Sequence, residues 1–561
     1  MSYKLPEFEV GKVTIGELVD IVASQMPDQM AVEYLEPEVR YTYKEFNEVC
    51  RNVAKGLMAL GVKKGEHIAI WANNVPEWLY LQFGSPKMGA VLVTVNTNYR
   101  AFELEYLLKQ SDTTTLFMIG GVRSEDEYIR VINDVCPTLK HSEPGKLENE
   151  KLPYLKNIVF IGEETPPGMY NWRDIVEMGK KISDEELDKV QASLSPDEVI
   201  NMQYTSGTTG FPKGVMLTHT NVIGNAKSIA ECMKFSPADK LCIPVPFFHC
   251  FGCVLGTLTC VVSGATMCPV VAFKPDAVLR TVEQLKCTAL HGVPTMFIAE
   301  LEEMEKKKYD TSSLRTGIMA GSPCPIEVMK KVVNVMGAKE ITIAYGQTEA
   351  SPVITQTRTD DPIELRVSTV GRALPHVEVK IVDIDTGEEV PPGVQGELCT
   401  RGYHVMKGYY KNEEATKNAI DEDGWLHTGD LAVMDENGYC KITGRIKDMI
   451  IRGGENIYPR EIEEFLYTHP KIKDVQVVGV PSKKYGEEVV AFVQLKEGEM
   501  ATEEELKEFC KDKIAFHKIP AYFFFVDEYP TTASGKIQKY KLREEATRLL
   551  GREEDARVET A

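Results

Sequence analysis

The sequence lacks several features that would place it in other functional classes. No long basic run occurs, and acidic residues outnumber basic ones, 84 against 64, for a net charge of −20. Neither a nucleic acid nor an anionic membrane surface is therefore an expected partner. The opening stretch MSYKLPEFEVGK has no apolar run after its first charges, so a signal peptide or an anchor is not expected. The 13 cysteines follow no regular framework, which points to reduced thiols and a cytoplasmic setting. Repeats and low-complexity tracts are absent. The C-x-x-C from Cys250 to Cys253, beside His249, has no second pair; it reads as small apolar core thiols and not as a zinc or redox site.

From Leu241 to Phe273 there is no Asp, Glu, Lys or Arg. Length alone would let this stretch cross a bilayer. Pro244, Pro246, Gly252, Gly256, Gly264 and Pro269 break it, however, so one continuous helix is not expected and a buried core segment is.

What is present is a chain of 561 residues, 43% hydrophobic, too long for one ordinary domain and able to bury a large core. Phe46, Val49, Val53, Leu57 and Leu60 recur at helical spacing, with Gly61 as a stop. The short apolar runs HIAIWA (67–72), NIVFIG (157–162), ATMCPVVAF (265–273), TALHGV (288–293) and ITIAYG (341–346) alternate with helical stretches. This is the pattern of α/β units on largely parallel sheets. After about residue 370 the texture turns to short strands, with a hairpin turn at Asp385 to Gly387. The final stretch runs helix, strand, strand, helix, strand. The expected fold is α/β: a large N-terminal domain over 1–445, with two α/β subdomains and a β-rich one, then a small α+β domain over 446–561.

The clearest chemical signal is YTSGTTGFPKG, Tyr204 to Gly214. Gly207, Gly210 and Gly214 permit backbone conformations that turn successive N–H groups toward an anion. Ser206, Thr208 and Thr209 add hydroxyls and Lys213 a mobile positive charge, a set suited to a triphosphate. Pro212 before the lysine and Gly214 after it depart from a Walker A loop, so a P-loop NTPase is disfavoured.

With YGQTE (345–349), AGSP (320–323), WLHTGD ending at Asp430, TGRIKD (443–448) and SGKIQK (534–539), this loop makes the chain resemble the adenylate-forming enzymes, among them acyl-CoA synthetases, firefly luciferase and peptide-synthetase adenylation domains. The resemblance runs over nearly the whole chain with the motifs in family order. It implies that ATP is bound by 205–210, Lys213, Gly321, Ser322, Pro323, Tyr345, Gly346, Gln347, Thr348, Asp430 and Arg445. Thr348 would donate to the α-phosphate, Glu349 would hold Mg²⁺, and Asp430 would accept the ribose hydroxyls. Lys447 and Asp448 match the family hinge of a mobile C-terminal domain. Lys536 would reach the carboxylate and α-phosphate in the first half-reaction. The loop with Gly453, Gly454, Glu455 and Asn456 would replace it when coenzyme A enters.

The implied chemistry is attack of a carboxylate on the α-phosphate of ATP, with release of pyrophosphate, and then displacement of AMP by the thiol of coenzyme A. The acyl group would lie against His249, Gly252, Cys253, Val293, Ala320 and Gly346. Acetate-using relatives carry Trp where this chain has Gly346, so the resemblance implies an open pocket, where each buried CH₂ contributes about 0.8 kcal/mol. A medium- or long-chain fatty acid is the expected substrate. Aryl or dicarboxylic acids, an acyl carrier protein as acceptor, a luciferase-like oxidase and a catalytically dead regulator are the alternatives. Assembly as a homodimer is left open.

Overall fold

The computed structural model describes residues 4–205, 212–321, 324–452, 455–482, 484–511, 513–514, 516–531 and 537–553, without the side chains of Lys447, Glu455 and Asn456. The expected α/β layering is present. The helix read at 43–60 spans Tyr43–Ala59, capped by Thr42, whose hydroxyl accepts from the Glu45 N–H while Glu45 reaches back. Phe46, Val53 and Leu57 are its buried stripe.

Two large sheets form the first part of the chain. One runs, in spatial order, Arg372–Ala373, Val353–Gln356, Thr342–Gly346, Thr316–Met319, Ala289–Gly292, Lys240–Ile243, Thr266–Pro269, Met30–Tyr34 and Val39–Thr42. Its central strands are parallel, with antiparallel pairing at both ends. The other runs Gly408–Tyr409, Lys213–Thr218, Val199–Thr205, Val91–Thr94, His67–Trp71, Thr113–Met118, Asn157–Phe160 and Tyr170–Asn171. One continuous apolar core joins both sheets. The helix His219–Cys232 lies between them, touching the strands Lys213–Thr218 and Val353–Gln356. Asn225 on it clamps Val353, accepting from the backbone N–H at 3.1 Å and donating to the carbonyl at 2.8 Å.

The charge-free segment enters this core as expected. It supplies all but the first residue of the strand Lys240–Ile243, a π-helical stretch Phe251–Leu258 that continues as α-helix through Thr259–Ser263, and the strand Thr266–Pro269. No helix among the described residues is long and apolar enough to cross a membrane. The strand read over 265–273 is shorter than expected because Pro269, which has no N–H to continue a ladder, closes it.

The β-rich part is a four-stranded antiparallel sheet, Val377–Val382, Gln395–Gly402, Leu426–Met434 and Cys440–Arg445. The expected hairpin turn is there: Gly387 N–H donates to the Asp383 carbonyl at 2.9 Å. Beyond Ile450 the chain builds a separate sheet with cores of its own, around Ile457, Leu466, Val475, Ala491 and Phe523 on one face and Val480, Phe492 and Leu542 on the other. Among the described residues no buried cluster mixes side chains from before and after the stretch between Ile442 and Ile450. Separate cores are what define separate domains, here a large N-terminal and a small C-terminal one. An ion pair, Lys473 Nζ to Glu302 Oε1 at 2.5 Å, ties the two.

Candidate active site

In the first sheet the parallel strands Lys240–Ile243, Ala289–Gly292, Thr316–Met319 and Thr342–Gly346 are neighbours. Their carboxyl ends run directly into Pro246–Cys253, Val293, Ala320–Gly321 and Gly346–Glu349. Residues far apart in sequence are thus gathered along one edge, where α/β sheets take ligands. The Ala320 N–H bonds the Gly292 carbonyl at 3.2 Å, drawing two of these ends together.

The phosphate-loop candidate joins two antiparallel strands, with Thr205 paired to Lys213 at its base. Ser206, Gly207, Thr208, Thr209 and Gly210 lie outside the described residues, as do Ser322, Pro323, Gly453, Gly454 and Lys536. The flanks of the loop are held by the helix Ala101–Gln110. Tyr106 donates to the Pro212 carbonyl at 3.0 Å, and Tyr204 donates to the side-chain oxygen of Gln110.

Glu349 sits in a short 3₁₀ turn, Thr348–Ala350, immediately after the strand that ends at Gly346. Its Oε1 accepts from the Tyr409 hydroxyl at 2.8 Å and from the Thr205 hydroxyl at 3.5 Å. Lys213 Nζ stands 4.5 Å from the centre of the Tyr409 ring. One tyrosine therefore orients both the acid and the cation of the site. Burial, reinforced by the Glu349 carboxylate, drives the Tyr409 phenol pKa up, so it stays a donor. Sequence reasoning missed Tyr409, because an aromatic pair in KGYYKN carries no catalytic pattern.

Asp430 is buried and held at both oxygens, Oδ2 by the Tyr345 hydroxyl at 2.8 Å and Oδ1 by Arg445 Nε at 3.4 Å. Arg445 faces it directly across antiparallel strands. A carboxylate offers about four acceptor positions, so this clamp sets its orientation and remains compatible with further hydroxyl donors. Burial and the neighbouring Asp430 raise the Tyr345 pKa well above that of a free phenol.

On the apolar side, Asn74 pins the segment after Ile243: its Oδ1 accepts from Phe247 N–H at 2.8 Å and its Nδ2 donates to the Val245 and Val270 carbonyls. Cys253 is buried, and its Sγ accepts from Gln203 Nε2 at 3.1 Å. The His249 ring is half-buried against Phe248, with 4.5 Å between ring centres. His291 was also missed. It is buried, takes a hydrogen bond from Ile318 N–H on Nδ1 at 3.1 Å, and therefore donates from Nε2 to the Leu255 carbonyl at 3.0 Å. Burial depresses its pKa to about 4. It is a neutral strut between strand and helix.

Two glycines read as room for a methylene chain have a packing reason of their own. A Cβ on Gly346 would lie 1.8 Å from the Pro352 carbonyl oxygen, and one on Gly252 would lie 2.2 Å from the Pro246 carbonyl oxygen. With the backbone as it stands here, the close approach at each position requires glycine. Gly346 is nevertheless exposed on its other side.

Comparison with known proteins places this geometry. The AMP-binding enzyme family matches residues 19–410, and its AMP-binding enzyme C-terminal domain matches residues 461–536. A putative acyl-CoA synthetase of Bacillus subtilis (strain 168), YngI, is 62% identical over 96% of this chain and 98% of its own length. The mitochondrial medium-chain acyl-CoA ligase ACSF2 of Danio rerio is 43% identical over 96% of this chain and 89% of its own. Among solved structures, the anthranilate CoA ligase AuaEII in complex with anthranoyl-AMP superposes with a TM-score of 0.85 at 25% identity, covering 97% of this chain and 99% of that one.

Proposed function

The chain belongs to the AMP-binding enzyme family and is an AMP-forming acid–CoA ligase, and from that premise we propose that its acid is a medium- or long-chain fatty acid. The observation that carries this reading is the wall of the candidate acyl site. After the strand Lys240–Ile243 the chain runs through Phe247, Phe248, Cys250, Cys253, Val254, Leu255 and Leu258, all buried, in a segment without a charged residue. Such a wall rewards methylene groups and offers no partner to a second carboxylate. Cys253, Val254 and Leu258 also border a small cavity with Ile15, Leu92 and Val222, roomy enough for about one water. The medium-chain activity named for ACSF2 supports the same class.

In this reading the loop from Thr205 to Lys213 embraces the triphosphate and Thr348 donates to the α-phosphate. Asp430, held by Tyr345 and Arg445, takes the ribose hydroxyls, and Gly321 with Ser322 and Pro323 borders the adenine. The carboxylate of Glu349 and the hydroxyls beside it are hard oxygen donors that fit Mg²⁺, which when bound neutralises phosphate charge. Adenylation is then a matter of positioning the acid in line with the α-phosphate and offsetting developing charge with Lys213 and Lys536. We divide the domains at Arg445 and Ile446, with Lys447 and Asp448 as the hinge that exchanges Lys536 for the loop at Gly453 to Asn456. Asp448 ends a single 3₁₀ turn, Ile446–Asp448, between the two sets of cores, which is where a rotation disturbs the fewest packed side chains. A reducing, cytoplasmic setting fits 13 free, buried cysteines.

The likeness to an anthranilate CoA ligase favours an aryl acid as the second reading. Acid-dependent AMP formation with coenzyme A across saturated C2 to C18 acids and benzoate-type acids decides between them. The proposal expects the highest kcat/KM on a chain of eight carbons or more, and a best rate with acetate or an aryl acid overturns it. Lys536→Ala should keep ATP binding and lose adenylation.

A further inference from the structure

On the face of the four-stranded sheet opposite the buried Leu398 and Leu426, three side chains of different chemistry converge. Cys399 on Gln395–Gly402 pairs directly with His427 on Leu426–Met434, and Glu397 lies two residues before Cys399 on the same strand. Their neighbours Leu398 and Leu426 point the other way, into the core, so strand alternation forces Glu397, Cys399 and His427 to one side. His427 Nδ1 stands 2.8 Å from Glu397 Oε2 and 3.4 Å from Cys399 Sγ, and all three ligand atoms lie within 4.8 Å of one another. Among the described residues no other trio of His, Cys, Asp or Glu meets that criterion.

The outward-facing atoms of the same groups are already oriented. Glu397 Oε1 accepts from the Gly429 N–H at 2.9 Å, and His427 Nε2 faces Asp421 Oδ2 at 3.6 Å. Metal-binding imidazoles and carboxylates are held in this manner by partners on their other atom. The spacing also fits. A tetrahedral centre with zinc-like bond lengths needs about 3.6 Å between sulfur and nitrogen and about 3.4 Å between nitrogen and oxygen. The first is nearly met at 3.4 Å. The second asks His427, whose side chain is 34% exposed, to swing by about 0.6 Å from its 2.8 Å contact. The nearest competing cation, Lys380, pairs with Cys399 across the sheet, but its ammonium is drawn over the Trp425 ring, 4.2 Å from the ring centre.

We propose that Glu397, Cys399 and His427 form a binding site for a thiophilic divalent cation of the zinc class, with the fourth position open to water on the His427 side. It is distinct from the Mg²⁺ position at Glu349 in place and in chemistry, since a thiolate and an imidazole select against a hard ion. Because Glu397 grips Gly429, and His427 precedes Thr428, occupancy braces the turn that leads to Asp430.

The test uses the full chain stripped of metal, with Zn²⁺ binding by equilibrium dialysis and Co²⁺ binding followed by absorption. The wild type should take one Zn²⁺ per chain in the presence of excess Mg²⁺, and Co²⁺ should give a thiolate charge-transfer band. Cys399→Ser should lose the band and bind Zn²⁺ more weakly by about tenfold or more, while AMP formation with Mg²⁺ and without Zn²⁺ stays within about twofold of wild type. His427→Gln is the second variant, expected to weaken Zn²⁺ likewise. Absence of stoichiometric Zn²⁺ in the wild type overturns the proposal. So does equal Zn²⁺ affinity with an unchanged Co²⁺ band in either variant, which would put the metal elsewhere. Zn²⁺ should also shift KM for ATP in the wild type and not in Cys399→Ser; an equal shift in both counts against the site.

Discussion

Tyr409→Phe removes one oxygen atom and isolates how much the candidate site depends on holding Glu349. The phenol donates to Glu349 Oε1 at 2.8 Å from a buried ring, and its other partner, Lys213, lies over that ring at 4.5 Å. Phenylalanine keeps the burial and the cation–π contact. What is lost is a hydrogen bond to a charged acceptor, about 1.5–3 kcal/mol. At 1.4 kcal/mol per factor of ten, that corresponds to roughly 10- to 100-fold in kcat/KM for ATP if the carboxylate must be oriented to hold Mg-ATP. Thr205, at 3.5 Å, is too distant to take over. The KM for the acid should move less than about twofold, since the acyl wall is untouched. Tyr409→Leu should cost a further twofold or more, as the cation–π contact contributes about 0.5–1 kcal/mol. Pyrophosphate release at varied ATP and Mg²⁺ reads all of this. A double-mutant cycle with Glu349→Gln should show strong coupling. A Tyr409→Phe enzyme within twofold of wild type, or additive effects in the cycle, would refute the reasoning.

Gly346→Ala places a Cβ where the Pro352 carbonyl oxygen is 1.8 Å away, so backbone must shift; thermal unfolding should show a loss above about 4 kcal/mol, and an unchanged Tm would show that Gly346 serves the pocket alone. Lys539→Met leaves Glu463, which is 4% exposed and receives the Lys539 ammonium at 2.5 Å, without its cation and with only the Val477 N–H at 2.7 Å among its described partners. The expected cost is about 3–5 kcal/mol in denaturant unfolding, largely restored by adding Glu463→Gln. His291, with its pKa held down to about 4 from 6.5 by burial, takes a proton in the unfolded chain before the folded one. Stability should therefore fall as pH drops from 6.5 toward 4 and level off below, by about 3 kcal/mol from this group. Urea unfolding at pH 7 and pH 5 should show a smaller difference in His291→Gln than in wild type, and an equal difference would assign the loss to other groups.

Much of the fold was legible because its signals are local. The stripe from Phe46 to Leu57, the apolar runs at 67–72 and 341–346, and the breakers between Leu241 and Phe273 each act through neighbours in the chain. Strand ends fell short where Pro269 terminated a ladder. In the candidate site, Lys213, Glu349 and Asp430 are proposed from motifs, whereas Tyr409, Asn74 and His291 carry no motif. Their roles come from partners at long range: Tyr409 meets Glu349 across 60 residues, and Asn74 meets Phe247 across 173.

By itself, then, the sequence determined the α/β class and the order of a large and a small domain, and it proposed a phosphate ligand for the Gly/Ser/Thr-rich loop, because backbone freedom, periodicity and charge are properties of short segments. Only the tertiary structure decided that one tyrosine orients both Glu349 and Lys213, and that Asp430 is clamped by Tyr345 and Arg445. It also showed that Gly346 answers to the Pro352 carbonyl. Those facts depend on which strands lie side by side, and pairing between distant segments is set by the packing of the whole core.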